Sequence, residues 1–168
     1  EIASLKKYLL HRRDTGSLDA VDEWIRLIAI TRLTGHSSGF FSVYTLPPNQ
    51  AVSVKSQQKI NRDRNQTPPR RHVVQIMLKK TRILLSECDA FVRRTLLGVA
   101  PRARLLTKPA ACTPEIKSGS VHLVVTSPPF LDVVDYAGDN WLRCWFLGLD
   151  AKSVAITVPK KLDAWQEV

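Results

Sequence analysis

Apolar residues return every three or four positions along several stretches of this chain, the mark of helices with one buried face. Residues 2–13 read as a short helix, with Leu5, Tyr8 and Leu9 on one side and Gly16 suited to stop it. Residues 20–33 read as a second helix. Asp19 stands at its N-cap, Asp22 and Glu23 favour its positive end, and Val21, Trp24, Ile25 and Ile28 form its stripe. The strongest pattern predicts one long helix over 73–97. There Val74, Met77, Leu78, Leu84, Leu85, Cys88, Phe91 and Val92 recur, and Gly98 and Pro101 end the run. Lys79, Lys80, Arg82, Arg93 and Arg94 fall largely off that stripe. A last helix is predicted over 139–148, carrying Trp141, Leu142, Trp145 and Phe146.

Between 34 and 72 the periodicity breaks, with Gly35, Gly39, Pro47, Pro48, Pro68 and Pro69 as punctuation. Phe40, Phe41, Val43 and Tyr44 suit a short strand or a tucked loop, and a short helix fits within 53–62. Residues 103–107 suit a strand. Residues 121–126, Val-His-Leu-Val-Val-Thr, suit one better, apolar on both faces as in a buried parallel sheet. His122 reads as structural or exposed. Three segments result: a helical one over 1–33, a basic insertion over 34–72, and a long helix with an α/β part over 73–168, together expected to form one compact domain.

The chain has 168 residues, 44% hydrophobic and 24% charged, values that suit a folded domain and exclude wholesale disorder. No apolar run reaches the roughly 18 residues of a membrane span. No leader pattern is present, and Cys88, Cys112 and Cys144 are too far apart for a disulfide framework or a zinc knuckle. A cytoplasmic protein with reduced thiols and no metal is the expectation.

Charge changes the picture most. The net charge is +10, and residues 55–108 hold 14 Lys and Arg against three acids. A concentrated positive field recruits phosphate backbones through counterion release. DNA is therefore an expected partner, with Lys55, Lys59, Arg62, Arg64, Arg70 and Arg71 as the contact residues.

The chemistry sits at Ser127-Pro128-Pro129-Phe130, directly after the 121–126 run. Two prolines fix two φ angles and aim the carbonyl before each of them. An exocyclic amino group can donate its two hydrogens to the Ser127 hydroxyl and the Pro128 carbonyl, which returns electron density to the nitrogen. Phe130 can stack on the base. A base held this way must leave the duplex.

The four residues resemble motif IV of the amino-group DNA methyltransferases, which act on N4 of cytosine or N6 of adenine. Lys117–His122, the segment from Leu131 to Tyr136, Asn140-Trp141-Leu142-Arg143 and parts of 32–65 also look like that family. The resemblance implies an α/β, Rossmann-like class I methyltransferase fold with a helical, basic insertion. It implies S-adenosylmethionine as cofactor and Ser127, Pro128, Pro129 and Phe130 as catalytic residues. Asp135 and Tyr136 are weak candidates for the cofactor side, or caps of the next helix.

The chain departs from the family in two respects: Ala110-Ala111-Cys112-Thr113, before motif IV, carries no acidic residue until Glu115, where the family often has one, and the cofactor turn has no counterpart. None of its seven glycines (16, 35, 39, 98, 119, 138 and 148) forms the glycine-rich turn that lets backbone approach the cofactor. The sequence thus reads as a methyltransferase segment, expected to pair with a missing segment or to self-associate as a homodimer. By itself it is expected to be inactive. The alternatives are a non-catalytic nucleic-acid-binding relic, or transfer to an RNA base or a protein side-chain amide.

Overall fold

A computed structural model of the chain describes residues 1–35, 37–42, 52–110, 112–127 and 135–154. They hold six α-helices: α1 Ile2–Asp14, α2 Ala20–Arg32, α3 Val54–Asp63, α4 Val73–Leu85, α5 Ala90–Val99 and α6 Tyr136–Leu147. A single 3-10 turn, Ala100–Arg102, follows α5. Among the described residues there is no strand and no sheet, so the expected α/β, Rossmann-like fold is overturned. Among them, no helix is long and apolar enough to cross a membrane.

The chain divides into two compact units. One comprises Glu1–Glu87 with Asp135–Ile156, the other Cys88–Val134 with Thr157–Val168. In the first, α2 packs against α4 and α6, and α1 packs against α6. Leu9, Ala29, Leu33, Phe41, Val73 and Phe146 form its core, with Leu5, Ile25, Met77 and Leu142 around them. Ala29 is fully buried and Phe146 is 2% exposed; a methyl on α2 leaves the space that the α6 ring needs. Phe40 and Phe41 turn back rather than form a strand: the Phe41 N–H donates to the Arg32 carbonyl at 2.8 Å. Val43 and Tyr44 lie outside the described residues.

Helix ends follow local chemistry. Asp19 caps α2, accepting from Val21 N and Asp22 N at 2.9 Å each. Asp22 answers by accepting from Asp19 N at 3.2 Å, which completes a capping box. The same Asp22 carboxylate is buried and accepts from Arg12 on α1. Burial pushes its pKa up, but Arg12 and the Asp19 N–H outweigh burial and hold it below the usual carboxylate range. Gly148 ends α6 at φ +68, in the left-handed region. A Cβ there would meet a Leu10 methyl at 2.8 Å, so α1 packs where only glycine fits. The α6 helix starts three residues before the expected position, because Asp135 supplies the cap, accepting from Gly138 N at 2.8 Å.

The long helix expected over 73–97 is two helices. Ser86 Oγ donates to the Ile83 carbonyl at 2.8 Å, and Asp89 caps a fresh start by accepting from Val92 N at 2.8 Å. Local side-chain bonds thus end one helix and open another inside a continuous apolar pattern.

In the second unit, residues 103–107 and 121–126 carry no strand. Leu123, Val124 and Val125 are 78%, 74% and 88% exposed. A strand exists only as part of a ladder. Among the described residues no extended segment exchanges backbone hydrogen bonds with 121–126, so β-branched composition alone yields open chain. Glu115 pairs with Lys108, which lowers its pKa, and the loop between them closes.

Three outcomes test this architecture. Phe146→Ala lowers the unfolding free energy by about 3–5 kcal/mol in urea titrations. Gly148→Ala lowers it by about 1–2 kcal/mol through the left-handed backbone. Asp22 has a folded pKa below its unfolded value, so its contribution is complete above about pH 4. It is lost as pH falls through the lower folded value; in Asp22→Asn that part of the acid dependence of the urea midpoint disappears.

Candidate nucleic-acid interface

The basic segment folds as a capped helix and a return. Ser53 Oγ accepts from Ser56 N at 3.2 Å and starts α3. One side of α3 faces inward through Gln57, Ile60 and Asn61, which are half-buried. Asn61 Oδ1 accepts from Gln57 at 2.9 Å and from Gln66 at 3.0 Å, tying the helix to the segment that leaves it. Asn65 makes the turn at φ +44, a conformation asparagine tolerates better than most residues.

That packing leaves Lys55, Lys59 and Arg62 on the opposite, exposed side. Their spacing of four and three residues places them on one helical face. Among the described residues none of the three pairs with a carboxylate. From Lys55 to Arg62 the helix rises about 10.5 Å at 1.5 Å per residue. Phosphates of one DNA strand advance about 3.4 Å each along the axis, so the row matches about three steps. Arg64 is exposed just past the helix end.

Arg70 and Arg71 stand elsewhere in the same unit, before α4. Arg70 is 84% exposed and lies 3.7 Å from Glu1. Arg71 is half-buried. The six expected cations therefore form two groups: Lys55, Lys59, Arg62 and Arg64 along α3, and Arg70 with Arg71 beside the chain's first residue.

Ser127 is exposed and ends open chain rather than a buried strand. Pro128, Pro129 and Phe130 lie outside the described residues. Asp135 and Tyr136 begin α6, where the Asp135 carboxylate serves as cap. A Cβ at Gly138 would meet that carboxylate at 2.2 Å, so this glycine serves the cap and leaves no cradle for a ligand. The described residues thus do not fit a seat for S-adenosylmethionine: no turn among them brings clustered glycines to an open cleft.

Two features had no sequence signal. Glu1 reaches α4 across 72 positions to accept from Val73 N at 3.0 Å. Arg32 lies over the Phe40 ring at 4.1 Å, and burial lowers its pKa. Compared with known proteins, the chain matches no family model, no curated protein and no solved structure.

Proposed function

We propose that this chain is the DNA- and base-contacting segment of an amino-group DNA methyltransferase. The observation that carries the reading is the Ser127-Pro128-Pro129-Phe130 run. Its hydroxyl and rigid carbonyl suit the two hydrogens of a cytosine N4 or adenine N6 amino group, and its ring suits the base face. The exposed row on α3 supplies the phosphate contacts such a segment needs. Positioning and fixed dipoles, rather than a strong general base, are the means by which these residues act. S-adenosylmethionine is the methyl donor in this reading, and no residue described here is assigned to hold it. Its seat belongs to another part of the active enzyme, a missing segment or a second copy.

A second reading is a nucleic-acid-binding module without methyl transfer. The all-helical described residues and the absence of a glycine-rich turn among them favour it. Titration calorimetry tests the two. Micromolar binding of S-adenosylmethionine to this chain favours the enzyme; absence of heat is expected of the module and equally of a segment whose cofactor seat lies elsewhere, and the extrahelical-base duplex below then separates them.

Both readings require salt-dependent binding to duplex DNA. Replacing Lys55, Lys59 and Arg62 together by Ala flattens the slope of log K against log salt by about 2.7, at about 0.9 per phosphate contact. An unchanged slope removes α3 from the interface. The enzyme reading further requires tighter binding to a duplex with an extrahelical cytosine or adenine than to a fully paired one. Phe130→Ala weakens that preference by about 1–3 kcal/mol, the worth of one stacked base. Equal affinity for both duplexes overturns the base-holding role.

A further inference from the structure

The helices α2 and α4 leave an apolar groove between them. On α4, Val74, Leu78, Thr81 and Leu85 recur at steps of four, three and four; on α2, Val21, Trp24 and Ile28 recur at steps of three and four. Such steps draw a straight seam along a helix, the spacing by which helices pack side by side. Ile28 and Met77 lie in the lining of the groove, a cavity of about 520 Å³. Its rim is open: Val21 is 66% exposed, Val74 65% and Leu78 49%. The α4 helix is thus apolar on two sides, with Val73 buried in the core and Val74 and Leu78 turned to water. A helix apolar on two sides needs cover on both.

The three polar side chains in the lining, Glu1, Trp24 and Thr81, are already engaged. The Trp24 indole N–H donates to Thr81 Oγ1 at 3.0 Å and bridges α2 to α4, and Glu1 accepts from Val73 N at 3.0 Å. Small-ligand pockets keep polar groups to orient their ligand. This groove calls instead for apolar side chains.

Charge says whose. On the flank of α4 turned away from α2, Lys79 and Arg82 are exposed. Among the described residues neither pairs with a carboxylate. The outer flank of α2 carries Glu23, which bonds Arg26 at 2.8 Å within its own helix and stays 57% exposed. The Trp24–Thr81 bond sets the height of one helix against the other, so Glu23 and Arg82, each next to one of that pair, stand level along the groove. A twofold axis running along the groove preserves heights and lays α4 of one copy over α2 of the other. The basic flank of each copy then meets the acidic flank of its partner, and each Val74–Leu78 ridge enters the opposite groove. One patch holds ridge and groove, base and acid, as a self-complementary contact requires.

We propose that the groove between α2 and α4 is the face by which two copies of this chain associate, with Glu23 of one copy meeting the partner's Arg82. The proposal is independent of the nucleic-acid reading, since no cation of α3 takes part in it.

The test is the mass of the full chain in sedimentation at graded concentrations. The salt is about 0.15 M, where a Debye length of about 8 Å screens the net charge of +10 on each copy. The mass doubles within the micromolar range. Leu78→Asp sets a carboxylate in the apolar seam and raises the dissociation constant about tenfold or more. Glu23→Arg and Arg82→Glu each raise it about fivefold, because symmetry repeats every like-charge contact. An equimolar mixture of these two variants returns to the parent's constant, since every contact in the mixed pair joins opposite charges again. Unchanged helical circular dichroism shows that each variant is folded. A monomer throughout overturns the proposal and leaves the groove to a different chain or a small apolar molecule. A dimer indifferent to Leu78→Asp runs through another face and overturns it equally. Failure of the mixture to recover overturns the pairing of Glu23 with Arg82 and with it the twofold arrangement.

Discussion

Asp22 is the residue on which the first unit turns. It belongs to α2 by sequence, closes the capping box at that helix's start, and accepts a hydrogen bond from Arg12 on α1. A buried carboxylate is tolerable only when its acceptor capacity is used. Here the Arg12 guanidinium and the Asp19 N–H use it. The requirement therefore sets more than one helix end. It sets the distance at which α1 and α2 meet, and with it the slot that Leu9 and Ala29 share with Phe146. Arg13, next along α1, donates to the Leu147 carbonyl at 2.8 Å, so neighbouring arginines of one helix anchor α2 and α6.

The second unit lacks any such anchor among its described residues. Its helix α5 exposes Phe91, Leu96 and Leu97, and its extended stretch exposes Val121 through Val125 apart from His122 as apolar surface. The contrast with the first unit follows from partners. Where α2 has α4 and α6 beside it, Ile28 and Ala29 are buried; where a β-branched run has no ladder, side chains stay in water.

The functional residues divide in the same way. The cations on α3 are placed by the helix period: Gln57, Ile60 and Asn61 take its half-buried side, and Lys55, Lys59 and Arg62 take the exposed one. Arg70 and Arg71 are placed by a contact between sequence-distant residues, Glu1 and Val73. Ser127 has its chemistry from its neighbours in the chain, while its surroundings depend on what covers the 121–126 run. In the proposed reading, phosphate contact rests on the exposed row of α3 and base handling on the motif.

What the sequence by itself determined were the features whose causes are local. The helices α1, α2 and α6, the Asp19 cap and the helical tendency of 53–62 all follow from periodicity and from residues within four positions of one another. The basic residues were legible as a charge excess; that three of them share one face followed once α3 was in hand. What only the tertiary structure decided were the features that need a distant partner. The division of 73–97 into α4 and α5 is not among them: it rests on bonds of Ser86 and Asp89 within three positions, which the apolar stripe running straight through them concealed. The strand at 121–126 failed because a ladder requires a second segment, which a run of valines cannot supply to itself. Glu1 became a cap for α4 because packing brought together residues 72 positions apart. Propensity acts over a helical turn, whereas pairing and burial act across the whole chain.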